Sequence, residues 1–428
     1  MIQNIKGMPD ILPDEIGRWQ FIEKKIRALM DSYAYREIRT PILEETSLFV
    51  RSVGEHTDIV GKEMFTFTDQ GETQMSLRPE GTASVMRSYL QHHMQMQSTF
   101  TKLYYMGPMF RRERPQKGRL RQFHQLGAEA IGVADALVDV EMIALLMNVC
   151  KTFELPGIHL ELNSLGDAES RKNYRSVLQD YFTKHKTIMS DGEKARLENN
   201  PLRLLDSKNP DLAPAIAEAP SILDHLTSPS KKYFDEVQQG LESIGIPFNI
   251  NERIVRGLDY YSHTTFEVMV SGLGSQNTVG AGGRYDKLAA DLGGKETPAI
   301  GFAMGLERLL LSLEGKSLGE KLSTRIEVIG LDENAKSSAF QIGHALRQSL
   351  PEYTVNIQFE SKSLKAALRQ ADKAEATWAC ILGENEMSKN IVLVKNFKTS
   401  DQTELPADQI ARFICATTVS PKLNKDKS

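Results

Sequence analysis

The stretch Met106–Glu129, MGPMFRRERPQKGRLRQFHQLGAE, decides how the rest of the chain is read. Six of the eleven residues from Arg111 to Arg121 are basic (Arg111, Arg112, Arg114, Lys117, Arg119, Arg121), and only Glu113 is acidic. Pro115 and Gly118 interrupt the run, so the charge falls on a turn between two apolar arms, 103–110 and 123–129. Such a hairpin can hold a polyphosphate in its arms and offer its loop to a nucleic-acid backbone. A solvated β-turn whose arginines face water satisfies the same local composition.

On the N-terminal side, Ile16, Trp19, Ile22, Ile26 and Leu29/Met30 form one stripe, which predicts a helix over 14–33 after an irregular leader. A short strand ending at Pro41 follows, then strands at 65–68 and 74–77 and a helix opened by Pro79-Glu-Gly-Thr82. Beyond the hairpin come a helix over 137–153 and a strand at 159–162. Residues 167–240 turn helical, charged and turn-rich, the texture of an insertion. Strands return at 248–251 and 265–270, and 299–313 reads as a largely apolar helix. After a linker at 315–323, strands and helices alternate to residue 415, which predicts a separate α/β domain. Residues 421–428 read as a flexible tail.

At 428 residues the chain exceeds one ordinary core, and two domains, 1–320 and 325–420, are expected. The net charge of −4 argues against a general nucleic-acid coat, so any polyanion is met by local patches. Cys150, Cys380 and Cys415 lie far apart, and the nine histidines show no ligand spacing, so neither disulfides nor zinc are indicated. No signal core or membrane-length apolar run occurs, so a cytoplasmic protein is expected.

Four further clusters could carry chemistry. Arg78-Pro-Glu-Gly-Thr82 puts a carboxylate and a hydroxyl at a helix mouth, where, taken alone, Thr82 capping the backbone amides and Glu80 opposing the dipole is the simpler explanation. Arg256-Gly-Leu-Asp-Tyr-Tyr261 joins a cation, a carboxylate and two phenols. Ala281-Gly-Gly-Arg-Tyr-Asp286 allows close backbone approach to a ligand, or a tight turn, but lacks the spacing of a P-loop or dinucleotide turn. In Gly301-Phe-Ala-Met-Gly-Leu-Glu-Arg308, an arginine on an apolar segment needs a partner or an anion.

In this order the clusters resemble the class II aminoacyl-tRNA synthetases. Pro41 after a long helix and strand resembles motif 1, Phe110-Arg-Arg-Glu113 with Phe123 motif 2, and Gly305-Leu-Glu-Arg308 motif 3. Leu258-Asp-Tyr-Tyr261, Gly282-Gly-Arg-Tyr285 and the Arg78–Thr82 segment are similar to signatures of the histidyl-tRNA synthetase family. The resemblance covers nearly the whole chain. It implies an α+β fold: a class II catalytic core built on an antiparallel sheet with a helical insertion, plus a C-terminal α/β anticodon-binding domain. It also implies a homodimer, and ATP with Mg²⁺ as substrate alongside L-histidine and histidine tRNA, with no tightly bound organic cofactor.

Carried over by position, the resemblance implies that Arg111 grips the α-phosphate and the histidine carboxylate, with Arg256 across from it and Arg308 at the γ-phosphate. Phe123 would stack on adenine with Glu113 near its amino group. Glu80, Gly81, Thr82 and Gln125 would surround the substrate's α-ammonium. Glu129, Tyr260, Tyr261 and Tyr285 would line the imidazole pocket, and the loop Arg114, Gln116, Lys117 and Arg119 would meet the tRNA acceptor end. The chemistry is an in-line attack by an already ionised carboxylate on the α-phosphorus, which needs fixed cations and no general base. In the last domain Lys362, Lys365, Arg369 and Lys373 recur at helical spacing, which suits either a surface helix or anticodon-stem contact. Relatives often carry a glycine-rich loop before this helix, whereas this chain reads Gln358-Phe-Glu-Ser-Lys362. The competing reading is a histidine-binding regulatory subunit of ATP phosphoribosyltransferase. Those chains typically lose the motif 2 and motif 3 arginines and the last domain, all of which are present here.

Overall fold

The computed structural model describes residues 1–54, 57–116, 118–254, 258, 260–272, 277–316, 318, 324–360 and 363–418. Arg256, Lys117, Lys362 and the tail 421–428 therefore lie outside the described residues. The chain divides into two compact units, Met1–Leu318 and Gly319–Ser428.

In the first unit the strands are β1 (Arg36–Glu37), β2 (Leu43–Glu45), β3 (Phe65–Thr68), β4 (Gln74–Leu77), β5 (Thr101–Phe110) and β6 (Gln122–Ile131). They continue with β7 (His159–Ser164), β8 (Asn249–Ile250), β9 (Ser262–Met269), β10 (Thr278–Arg284) and β11 (Ala299–Gly305). The helices are α1 (Pro13–Ser32), α2 (Thr46–Val53), α3 (Thr82–Gln91), α4 (Ala136–Thr152) and α5 (Ala168–Thr183). Then come α6 (Asp191–Asn199), α7 (Ala213–Ala217), α8 (Ser228–Ser243), α9 (Leu288–Asp291) and α10 (Leu306–Ser312). Among the described residues, no helix is long and apolar enough to cross a membrane.

The main sheet runs β1-β5-β6-β11-β10-β9-β7-β8. Its six inner strands pair antiparallel, and only the short edge strands β1 and β8 pair parallel. The two hairpin arms become β5 and β6, in unbroken register from Thr101↔Ile131 to Phe110↔Gln122. Because side chains alternate along a strand, β6 separates two environments. Leu126, Ala128 and Ala130 join the core beneath α1 and α4, while Phe123, Gln125 and Glu129 point the other way. α1 starts at Pro13, whose missing N–H costs nothing at that position, with Asp14 and Glu15 in the first turn. It buries Trp19, Ile22, Ile26 and Met30, while Ile16 stays exposed. Helices α5 to α8 fall between β7 and β8 in the chain.

Two local expectations are corrected. Residues 299–313 are not one helix: 299–305 is the strand β11, and only Leu306–Ser312 is helical. A run buried on both faces carries no strand alternation, so periodicity cannot separate it from helix. The 281–284 glycines make no turn, because β10 runs through them in mid-sheet. A Cβ at Gly282 would lie 2.1 Å from the Gly301 carbonyl oxygen, so the glycines serve close strand approach.

The second unit holds β12 (Arg325–Gly330), β13 (Thr354–Gln358), β14 (Trp378–Leu382), β15 (Val392–Asn396) and β16 (Gln402–Leu405), in the order β13-β12-β14-β15-β16. β12 pairs parallel with β13 and β14, and β15 and β16 extend the sheet antiparallel. Its helices are α11 (Glu333–Ser349), α12 (Leu364–Lys373), α13 (Glu384–Lys389) and α14 (Ile410–Thr418). Ser363 caps α12, which buries Ala367 and Ala371 and exposes Lys365, Arg369 and Lys373.

Candidate active site

One cavity of about 260 Å³ opens on the face of the sheet opposite α1 and α4. Its lining includes Glu80, Thr82, Arg111, Glu113, Arg119, Phe123, Gln125, Tyr260, Tyr261, Tyr285 and Arg308. Residues 228 positions apart in sequence, from Glu80 to Arg308, thus converge, and two chemically different clusters share the space.

The first cluster is cationic. Arg111 donates from Nε to the Pro79 carbonyl at 2.9 Å and lies over the Phe123 ring, 5.4 Å from its centroid. Arg308 donates to the Thr278 carbonyl at 2.6 Å. Burial holds its guanidinium below its usual pKa, and Arg119 and Arg111 push it further the same way, with Glu267 opposing. Glu113 pairs with Arg119 and lies 3.9 Å from Arg111. Arg119, read from the sequence as part of the tRNA-facing loop, therefore lines the cavity. Arg114 and Gln116 are exposed on the turn, which Gln116 and Arg119 close through reciprocal backbone hydrogen bonds of 3.0 and 2.9 Å.

The second cluster is a buried carboxylate floor. Glu129 is fully buried, and accepts hydrogen bonds from Thr82 Oγ1 at 2.7 Å and from the Tyr285 hydroxyl. Burial raises its pKa to about 8, against the pull of those two donors. A Cβ at Gly301 would lie 1.8 Å from Glu129 Oε2, so glycine there is what lets the carboxylate lie against β11. The rings of Tyr260 and Tyr261 stand 4.7 Å apart, and Tyr260 meets Tyr285 edge-on at 5.6 Å.

Glu80 accepts from the Thr82 and Ala83 amides at 2.7 and 3.0 Å, so it caps α3 while its side chain lines the cavity. The capping roles expected from sequence are thus exchanged, with Glu80 on the amides and Thr82 on Glu129. Burial raises the Glu80 pKa, against the pull of those amides and of Arg111. The Gln125 side-chain oxygen is buried with no hydrogen-bond partner among the described residues.

The family described as Histidyl-tRNA synthetase matches residues 7–309, and that described as Anticodon binding domain matches residues 326–417. The chain belongs to the histidyl-tRNA synthetase family. The Crocosphaera subtropica histidine–tRNA ligase is 45% identical over 94% of this chain and 92% of its own length. The Geobacillus sp. (strain WCH70) histidine–tRNA ligase is 44% identical over 96% and 97%. Apo S. aureus histidyl-tRNA synthetase superposes with a TM-score of 0.81 at 35% identity, covering 96% of this chain and 99% of that one. A Bacillus halodurans C structure described as an ATP phosphoribosyltransferase regulatory subunit/histidyl-tRNA synthetase shares the fold, with a TM-score of 0.61 at 20% identity over 90% of this chain and 98% of that one.

Several residues that shape this cavity were given no role from sequence. Tyr105 lies under the floor, paired in the ladder with Gly127, where a Cβ would meet its ring at 2.1 Å. The tyrosine–glycine pairing was a readable signal once the hairpin register was fixed. Arg284, within a quoted motif, turns out to be 1% exposed and ion-paired with Asp139 and Asp286. His124, whose segment suggests a packing or hydrogen-bonding part, meets Glu307 at 2.9 Å.

Proposed function

We propose that this cavity condenses L-histidine with ATP to histidyl-adenylate, and that the same site then passes histidyl to the 3′ end of histidine tRNA. The overall reaction, histidine–tRNA ligation, is that of the family. What carries the proposal for this site is the sharing of one cavity by like-charged arginines and a buried carboxylate–phenol floor.

The arginines suit a polyphosphate. Arg119 and Arg111 press on the guanidinium of Arg308, and an anion entering among the three offsets that repulsion. In this reading Arg111 meets the α-phosphate and the histidine carboxylate, Arg308 the γ-phosphate end, and Phe123 the adenine. Glu113, tied to Arg119, stands near the adenine amino group, and Mg²⁺ arrives with the β- and γ-phosphates of the nucleotide. Charge that builds on the pentavalent phosphorus is met by cations already in place, which lowers the barrier without reorganisation. Arg256 is assigned to the opposite side of the α-phosphate on the resemblance alone.

The floor suits imidazole. Glu129 can accept the ring N–H, and the hydroxyl of Tyr261, with Tyr260 and Tyr285 beside it, can serve the other edge. An apolar isostere would leave these buried groups unpaired, a penalty that discriminates strongly. Glu80, Thr82 and Gln125 then receive the α-ammonium beside Gly81, the unpartnered Gln125 oxygen being a ready acceptor. The exposed turn Arg114–Gln116, with Lys117, meets the acceptor end, and the basic face of α12 meets the anticodon stem. The enzyme is read as a cytoplasmic homodimer, which light scattering tests for its oligomeric part.

Pyrophosphate exchange with each of the twenty amino acids tests the proposal. Exchange is expected with histidine alone. Histidine binding without exchange would favour the regulatory-subunit reading instead.

A further inference from the structure

The proposed roles leave Glu307 and His124 without a part, yet they join the two elements that carry the ATP contacts. β6 and β11 pair in register from Ile131↔Ala299 to Gln125↔Gly305. At Gly305 the chain leaves the ladder and turns into α10. One residue further along β6, the His124 amide has reached the end of that ladder. Glu307 supplies the acceptor: the His124 N–H donates to Oε1 at 2.9 Å and to Oε2 at 3.0 Å. The His124 ring nitrogen Nδ1 makes a further hydrogen bond to Oε1 at 2.9 Å. The ring is held from the other side by Trp19 of α1, edge-on with centroids 4.8 Å apart.

The consequence follows from sequence adjacency. Glu307 directly precedes Arg308, and His124 directly follows Phe123. We propose that Glu307 is a positioning residue for adenylate formation: by clamping His124 it fixes the guanidinium of Arg308 in register with the ring of Phe123. A hydrogen bond to a charged group is stronger than a neutral one, and two donors of one residue on one carboxylate, the amide shared between both oxygens, leave little freedom of register. Displacements of about an ångström at such supports are costly to catalysis. Glu307 also sits in the first turn of a seven-residue helix, where an acidic residue is favourable by charge alone. That role would affect stability but would not discriminate between substrates.

This inference rests on the ATP roles proposed for Arg308 and Phe123, so the experiment includes Arg308→Ala as its control. Steady-state pyrophosphate exchange is measured with ATP and histidine varied separately, together with single-turnover transfer to tRNA from preformed enzyme-bound adenylate. Glu307→Ala is expected to raise the KM for ATP by about 30-fold, the order expected for losing charged hydrogen bonds. The KM for histidine and the transfer rate should stay within about twofold, since neither step uses the ATP grip. Glu307→Gln keeps an acceptor for the amide and should recover most of the loss. His124→Phe, which keeps ring packing on Trp19 but loses Nδ1, should raise the ATP KM about fivefold even if Glu307→Ala does not fold. Wild-type ATP KM in both Glu307→Ala and His124→Phe, or in His124→Phe alone where Glu307→Ala does not fold, would overturn the clamp. So would Gln proving as damaging as Ala with a shifted Mg²⁺ requirement, which would make Glu307 a contact of the nucleotide's metal. Loss of ATP dependence in Arg308→Ala but not in the Glu307 variants would sink this inference and leave the site reading intact. An unaffected Arg308→Ala would sink the site reading itself.

Discussion

Arg284 ends strand β10 and Arg308 lies on α10, the helix that follows the neighbouring strand β11; both are largely withdrawn from solvent, and their surroundings differ. Arg284 is 1% exposed, and Asp139 accepts from its Nη2 at 2.5 Å while Asp286 accepts from Nη1 at 3.0 Å. Those carboxylates drive its pKa up against the effect of burial. Arg308 is driven down by burial, and next by Arg119 and Arg111, with Glu267 opposing them. A buried cation held by two carboxylates fits a structural role, whereas one pressed by two other cations, with Glu267 opposing them, suits the anion-binding role proposed above.

Four predictions can break or sharpen that contrast. The largest effect is expected on the structural side: Asp139→Ala leaves the buried Arg284 charge with Asp286 alone and should cost about 3–5 kcal/mol in chemical denaturation. If unfolding is unchanged, the pair is not structural. Glu129→Gln should raise the histidine KM by about 10- to 100-fold, because an amide in its place disturbs the buried hydrogen bonds from Thr82 and Tyr285 and the acceptor offered to the imidazole. An unchanged histidine KM would remove Glu129 from the pocket floor.

Glu129 also makes a pH prediction. Its folded pKa is raised to about 8 by burial, so its contribution to stability is fully present below the unfolded value near 4.5 and is lost as pH rises through the folded one. The melting temperature of the ligand-free protein should therefore fall more steeply between those pH values than that of Glu129→Gln. Parallel curves would contradict the assignment. The smallest effect is expected on α12, where Lys365→Ala with Arg369→Ala should raise the tRNA KM a few-fold and flatten its salt dependence. Histidine-dependent exchange should not move.

Much of this was legible in the sequence because the hairpin announces itself. Alternation along Phe123, Gln125 and Glu129 requires one strand face, and the basic turn requires its partner strand, so β5 and β6 could be placed from residues alone. Reading 299–305 as helix failed for a physical reason. Ala299-Ile-Gly-Phe-Ala-Met-Gly305 is buried on both faces, and only the pairing of β11 with β6 and β10 distinguishes it. The glycines of β10 were ambiguous in the same way, since close strand approach and a tight turn require the same residue. The split between Arg284 and Arg308 was not readable at all. Asp139, which decides the fate of Arg284, lies 145 residues away in sequence, and no local pattern reports it.

The contrast is tested most directly by measuring activity and stability together in Arg308→Ala. The account predicts that histidine-dependent ATP–pyrophosphate exchange falls by at least about 100-fold, the scale of removing one preorganised charge donor. It predicts that the unfolding free energy meanwhile changes by less than about 1 kcal/mol, because relief of repulsion from Arg111 and Arg119 offsets the lost bond to Thr278. Exchange near the wild-type rate, with stability reduced by several kcal/mol, would make Arg308 a second Arg284 and contradict the account.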